Sequence, residues 1–256
     1  MRRFFLPPEE CREPILRLRG DEAHHAARVL RLQPGDSVCV LDGAGQRVVC
    51  VARAVAKSEV SLDVVSRETF PPPPVLLALF CAVPKGGVFD DILEQAIELG
   101  VGAVTPLITD RGAVRYEIQQ AETRRAKWRA TAIESVKQCG SPWLPSIAAP
   151  ATVDQALGDP VRGELAMAAD LRPGGRGVSA VVSEAARRLG RVPLGVSVWI
   201  GPEGDFSPRE LDLMRDAGLV SVTLGSRVLR CATAALSALA IVSESLRGHL
   251  RADQGL

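Results

Sequence analysis

Residues 196–210 read VSVWIGPEGDFSPRE, and residues 219–230 read LVSVTLGSRVLR. Each begins as a short apolar run rich in β-branched side chains and opens into a glycine-bearing loop. The first loop is Gly201-Pro202-Glu203-Gly204-Asp205-Phe206-Ser207 and the second Leu224-Gly225-Ser226-Arg227-Val228-Leu229-Arg230. A helical stretch follows each. Ser207 is a capping residue, Pro208 pre-sets the first turn, and Glu210 completes a capping box. Strand, loop and helix repeated in this order make a parallel sheet covered by helices. Ligands in such sheets sit at the carboxyl ends of the strands. Both glycine loops fall there, so the expectation is a ligand cradle built largely from backbone. A plain strand-to-helix turn is the competing reading of GPEG alone.

The same alternation runs back to residue 75. Strands are expected at 75–83, 103–108, 164–169, 196–200 and 219–224. Helices are expected at 89–99, 119–139, 178–189, 208–217 and 232–247. Upstream stands Pro71-Pro72-Pro73-Pro74, a stiff spacer that continues neither helix nor central strand. Before it the pattern is mostly β: strands at 37–41, 46–55 and 60–65, a turn at Asp42-Gly43-Ala44-Gly45, and a helix over 21–30. The division read from the chain is therefore residues 1–70, a linker at 71–74, and residues 75–250. Several short strands in the first part suggest a small barrel.

Bulk properties exclude several classes. The 256 residues are 46% hydrophobic and 24% charged with a formal net charge of +1. Nucleic-acid binding must therefore come from local patches. The longest apolar run, 75–83, is far too short to span a bilayer, and the N-terminus lacks a signal peptide's apolar stretch. A soluble cytoplasmic protein without membrane contact is expected. The six cysteines form no CxxC pair and the three histidines are scattered, so no metal is expected and the thiols read as reduced.

Individual side chains carry two readings each. Arg227 and Arg230 open a helix, where the dipole disfavours cations. A solvated pair is thus less economical than a pair facing an anion such as RNA phosphate. Cys231 is a nucleophile or a buried thiol, and no neighbouring His or Asp supports the former. His24 and His25 read as a surface pair. Arg172-Pro173-Gly174-Gly175-Arg176 reads as a mobile surface loop rather than a phosphate cradle. The basic stretch 124–129 is a solvated helix face or a phosphate strip. The last helix, with Ala232, Ala234, Ala235, Ala238 and Ala240, is a core helix or a subunit interface.

Together these residues resemble one family, the SPOUT-type 16S rRNA uracil-N3 methyltransferases. Gly-Pro-Glu-Gly at 201–204 followed by Leu-Gly-x-Arg-Val-Leu-Arg at 224–230 is similar to that family's signature. So are the opening Arg2-Arg3-Phe4-Phe5, His24 with Arg28-Val29-Leu30-Arg31, Pro34-Gly35-Asp36, Pro84-Lys85-Gly86, Glu98-Leu99-Gly100-Val101 and Gln138-Cys139-Gly140. The similarity covers nearly the whole chain. The chain differs from the usual pattern at Gln95, Lys137, Ser141, Asp205 and Ala232.

The resemblance implies an α/β chain with an N-terminal PUA-like β-barrel and a C-terminal SPOUT domain holding a deep trefoil knot. It implies a homodimer formed through the last helix, and 16S rRNA or the small ribosomal subunit as partner. It implies S-adenosylmethionine held by three loops, mapped here to Ala169 and Asp170; to Ile200, Gly201, Pro202, Glu203 and Gly204; and to Leu224, Gly225, Val228 and Leu229. Arg230 and Asp205 are then the catalytic candidates. Asp205, Asp170 and Glu203 are the nearby carboxylates that could take the N3 proton, and orienting its loop or capping the following helix is the alternative role for Glu203. Arg2, Arg3, Arg28, Arg31, Lys85, Arg111 and Arg227 are the RNA-binding candidates. A methyltransferase for another RNA site, and a non-catalytic RNA- or ribosome-binding relative, are the alternatives.

Overall fold

The structure is a computed structural model that describes residues 1–112, 118–172 and 174–253. The chain forms two compact units, Met1–Pro72 with Ile133–Leu144, and Pro73–Ala132 with Pro145–Leu256.

In the first unit, β1 (Arg2–Phe5), β2 (Ile15–Arg19), β3 (Ser37–Leu41), β4 (Gln46–Val55) and β5 (Glu59–Thr69) form one sheet in the order β1-β3-β4-β5-β2. β1 runs parallel to β3 and the other pairs are antiparallel. Helix α1 (Gly20–His24) continues as a wider turn through His25–Val29. Alternating side chains, among them Phe4, Leu16, Leu18, Val38, Val40 and Leu62, make the core. In the β3–β4 turn, Asp42 Oδ1 accepts from the N–H groups of Ala44 and Gln46 at 2.7 and 2.8 Å. Gly45 is required there, since a Cβ would lie 2.4 Å from the Trp143 ring. β1 and β2 are absent from the sequence reading because they are short and arginine-rich. Pairing supplies what propensity lacks: Arg17 and Arg19 of β2 both bind Glu59 of β5.

Residues 133–144, read from sequence as part of the second half, belong with this first unit. Arg3 donates to the carbonyls of Lys137 and Gln138 in the last turn of the helix Ile118–Cys139, where helix carbonyls lack intrahelical N–H partners. Lys137 is buried and pairs with Glu22 at 2.7 Å and Glu134 at 2.8 Å.

The second unit is a parallel sheet in the order β11-β13-β10-β12-β6-β7-β8, with β9 also on β7. Its strands are β6 (Leu76–Ala82), β7 (Ala103–Ile108), β8 (Ser146–Ile147), β9 (Ala151–Thr152), β10 (Leu165–Ala169), β11 (Arg176–Gly177), β12 (Gly195–Ile200) and β13 (Val220–Thr223). The helices are α2 (Val88–Glu98), α3 (Ile118–Cys139), α4 (Val153–Ala156), α5 (Val178–Leu189), α6 (Pro208–Asp216) and α7 (Cys231–Asp253); α3 enters the first unit at Ile133. β12 is buried at every position. Trp199 stacks on Phe80 of β6 at 4.2 Å between ring centroids, and its indole N–H donates to the buried Ser197 hydroxyl. The capping box of α6 forms as read. A second box, Thr152 with Gln155 on α4, escaped the sequence reading.

α7 packs against α5, α2, β12 and β6. Ala235, Ala238, Leu239 and Val242 are fully buried within the chain itself. Ala238 is thus a core residue and not a surface contact. Thr233, Ala240, Ile241 and Glu244 form the exposed face. Among the described residues no helix is long and apolar enough to cross a membrane.

Candidate active site

Three loops leave the carboxyl ends of β10, β12 and β13 and meet the start of α7 around one cavity. The first loop contributes Ala169, Asp170 and Leu171. The N–H of Asp170 donates to Val222 at 3.0 Å, extending the β10–β13 ladder. Its carboxylate is almost wholly buried and accepts from the Arg172 N–H at 2.8 Å, from the Arg172 guanidinium at 2.8 to 3.2 Å, and from the Ser221 hydroxyl at 3.1 Å. Burial pushes this carboxyl up, but the Arg172 and Ser221 bonds outweigh it and hold it below the usual carboxylate range. Of the stretch read as a mobile loop, Arg172 is tied to Asp170 and Arg176–Gly177 pair with β13, while Pro173 lies outside the described residues.

The second loop contributes Ile200, Gly201, Pro202, Glu203 and Asp205. The N–H of Asp205 donates to Pro202 at 2.9 Å and closes a turn with Glu203 and Gly204 at its centre. Gly201 has its own reason. A Cβ there would lie 3.0 Å from the N–H nitrogen of Phe206 and 3.1 Å from its ring. Gly204 does not line the cavity, and a Cβ there would make only ordinary contact with Arg111 at 3.7 Å. Asp205 holds a left-handed φ of 61°. Its carboxylate accepts from Phe206 N at 2.8 Å and Leu171 N at 3.4 Å, tying the second loop to the first. Short acidic side chains tolerate this conformation through such local bonds. Behind the loop, Glu210 accepts from the N–H groups of Ser207 and Asp110, while Arg111 donates to the Gly204 carbonyl at 2.9 Å. The segment after β7 thus braces the motif loop.

The third loop contributes Thr223 to Leu229. Thr223 Oγ1 accepts from Gly225 N at 3.3 Å, and Gly225 has φ 121°, a value open to glycine. Val228 is 73% exposed at the cavity edge. Cys231 and Ala234 close the wall from α7. The Cys231 sulfur lies 3.5 Å from that of Cys81, both buried. The Cys81 thiol is raised well above its ordinary value by its bond to Cys231, by burial and by the Glu203 carboxylate.

A family model for an RNA methyltransferase domain matches residues 71–243, and one for an RNA methyltransferase PUA domain matches residues 18–65. A ribosomal RNA small subunit methyltransferase E from Synechocystis sp. is 32% identical over 95% of this chain and 78% of that protein. Its counterpart from Mycobacterium bovis is 33% identical over 87% of this chain and 84% of that protein. The chain belongs to the ribosomal RNA small subunit methyltransferase E family. Two solved structures are similar throughout. One is a methyltransferase from Legionella pneumophila in complex with S-adenosylmethionine: 26% identity, TM-score 0.82, covering 95% of this chain and 97% of that one. The other is the Neisseria gonorrhoeae methyltransferase E bound to S-adenosylmethionine, also at 26% identity, with TM-score 0.80 and the same coverage.

In this methyltransferase E chain, ten of the eleven positions assigned from sequence to the cofactor line the cavity, Gly204 being the exception. Leu171, Thr223, Ser226, Cys231 and Ala234 also line it and were not assigned. Asp205 and Arg227 line it too, whereas Arg230 is exposed and outside the lining. Of the basic candidates, Arg3 is engaged by α3, Arg2 by Asp36 at 2.6 Å, and Arg111 by the motif loop. Arg28, Arg31, Lys85, Arg227 and Arg230 are exposed, with no hydrogen bond or ion pair from their side chains to the described residues. No group of three or more His, Cys, Asp or Glu side chains gathers as a metal site among the described residues.

Proposed function

We propose that this chain transfers a methyl group from S-adenosylmethionine to N3 of a uridine in small-subunit ribosomal RNA. The observation that carries this reading is the three-loop cavity in a member of this family. The residues present suit the cofactor. Ala169, Ile200, Leu224 and Leu229 offer apolar walls to a flat purine, and Gly225 brings bare backbone to the cavity. Asp170 and Asp205 offer negative charge to a sulfonium and an ammonium, and Arg227 can face a carboxylate. When bound, S-adenosylmethionine supplies a methyl group on a positively charged sulfur that leaves without acid assistance.

The chain must then position uracil and accommodate the loss of its N3 proton. Arg230 is exposed next to the third loop but outside the cavity, which suits it to the base and not to the cofactor. Its guanidinium would stabilise charge on the uracil carbonyl oxygens. Arg28, Arg31 and Lys85 would hold phosphates. The PUA match and the register shifts in the β4–β5 pair support a closed barrel in the first unit. The return of β13 to the far side of β10, with β12 on the near side, supports a knotted SPOUT arrangement. The exposed α7 face, with Ala240 and Ile241, suits a homodimer.

Mass spectrometry of small-subunit RNA from a strain lacking the gene tests the reading. One N3-methyluridine should disappear and return with the wild-type gene. An unchanged modification profile would overturn it.

A further inference from the structure

The proposed reaction needs a proton acceptor, and three carboxylates border the cavity: Asp170, Glu203 and Asp205. Their surroundings separate them. Asp170 is buried and saturated by Arg172 and Ser221, bonds that hold its charge and depress its affinity for a proton. Asp205 has an oxygen on each of two backbone N–H groups, Phe206 and Leu171, and its left-handed backbone depends on them. Glu203 has neither restraint. It stands at the tip of the Pro202–Asp205 turn, lines the cavity and is exposed, and its carboxylate has no hydrogen bond or ion pair to the described residues.

Resting on the function proposed above, we infer that Glu203 is the catalytic base that receives the N3 proton of the target uracil. The uracil N3–H bond breaks toward a Glu203 oxygen. The electron pair left on N3 forms the bond to the methyl carbon, and the carbon–sulfur pair stays on sulfur as a neutral thioether. The reaction begins with a carboxylate and a sulfonium and ends with a carboxylic acid and no charge on sulfur, so it needs no further reactant. Glu203 then returns its proton to water, which its exposure allows. Two details fit. The field of Glu203 reaches the Cys81 thiol, which touches cavity-lining Cys231, so the side chain bears on the cavity wall. The turn that carries it is braced by Arg111 on Gly204, so the base is exposed yet held. The other charged groups around it are Asp170 and Arg172 after β10, Asp205 on its own loop, Arg227 after β13, and Arg111 after β7.

The test is single-turnover methylation of small-subunit RNA by the full chain, wild type against Glu203→Gln and Glu203→Asp, from pH 6 to 9.5. S-adenosylmethionine binding is followed in parallel by calorimetry. Glu203→Gln keeps the shape and removes the base, so turnover at neutral pH should fall on the order of a hundredfold. Cofactor affinity should stay within about threefold, less than a kcal/mol. The deficit should shrink as pH rises and uracil arrives already ionised, and Glu203→Asp should recover part of the rate. A Gln variant with wild-type turnover, a deficit equal at every pH, or a matching loss of cofactor affinity would each overturn the assignment. The wild-type product separates the two claims. N3-methyluridine made normally by the Gln variant removes Glu203 alone, whereas a wild-type product methylated elsewhere removes the underlying reading.

Discussion

Replacing Glu210 tests how the site is held. Its side chain is 1% exposed, and each carboxylate oxygen has its own backbone donor: Asp110 N on one at 2.9 Å and Ser207 N on the other at 2.8 Å. One bond is the return half of the α6 capping box; the other joins the end of β7 to the motif loop. Glu210→Ala leaves both N–H groups without this acceptor. Hydrogen bonds to charged groups contribute about 1.5–3 kcal/mol each, so the variant should lose about 3–6 kcal/mol, a large part of the roughly 5–15 kcal/mol that holds a domain folded. Glu210→Gln can satisfy one donor, but its amide nitrogen would face the other, so it should lose about half as much. Urea unfolding followed by the fluorescence of buried Trp199 measures both. The loop should loosen with the bond, so cofactor affinity should fall in the same order, Ala below Gln below wild type. A Gln variant as stable as wild type, or an Ala variant within about 0.5 kcal/mol of it, the range of neutral surface changes, would refute the bracing role.

Gly225→Ala forces a side chain onto a φ of 121°; strain of roughly 1–3 kcal/mol should weaken S-adenosylmethionine binding about tenfold or more, while Gly204→Ala, which meets only Arg111, should leave calorimetric affinity unchanged. Ala238→Arg should unfold the chain because that residue is fully buried, whereas Ile241→Arg, on the exposed face, should give a folded monomer by sedimentation if α7 forms the dimer. Asp170 has a depressed folded pKa, so its contribution is present above the unfolded value of about 3.9 and is lost as pH falls through the folded one. Arg172→Ala should therefore shift the acid-unfolding midpoint, followed by circular dichroism, to higher pH; an unshifted midpoint would show that the pair adds nothing.

The sequence alone was enough for the second unit's strand–helix alternation, because its signals are local. Continuous apolar runs and the Ser207–Glu210 box each act within a few residues, and the strand at 103–108 and the helix at 178–189 match residue for residue. The family signature likewise pointed to eleven positions of which ten line the cavity, since they lie in short segments at strand ends, but it did not reach Leu171, Thr223, Ser226, Cys231 or Ala234. What tertiary structure alone decided depends on residues far apart in the chain. Asp170 and Ser221 meet because β10 and β13 are neighbours although β12 lies between them in sequence. Arg3, expected from sequence only as an RNA contact, reaches the carbonyls at 137 and 138 and bonds that helix end. Ala238 faces its own core because α5, α2 and two strands cover that side of α7. The distinction among Glu203, Asp205 and Asp170 has the same origin: all three are acids beside glycine-bearing loops, and only the partners that folding brings to two of them leave the third free for a proton.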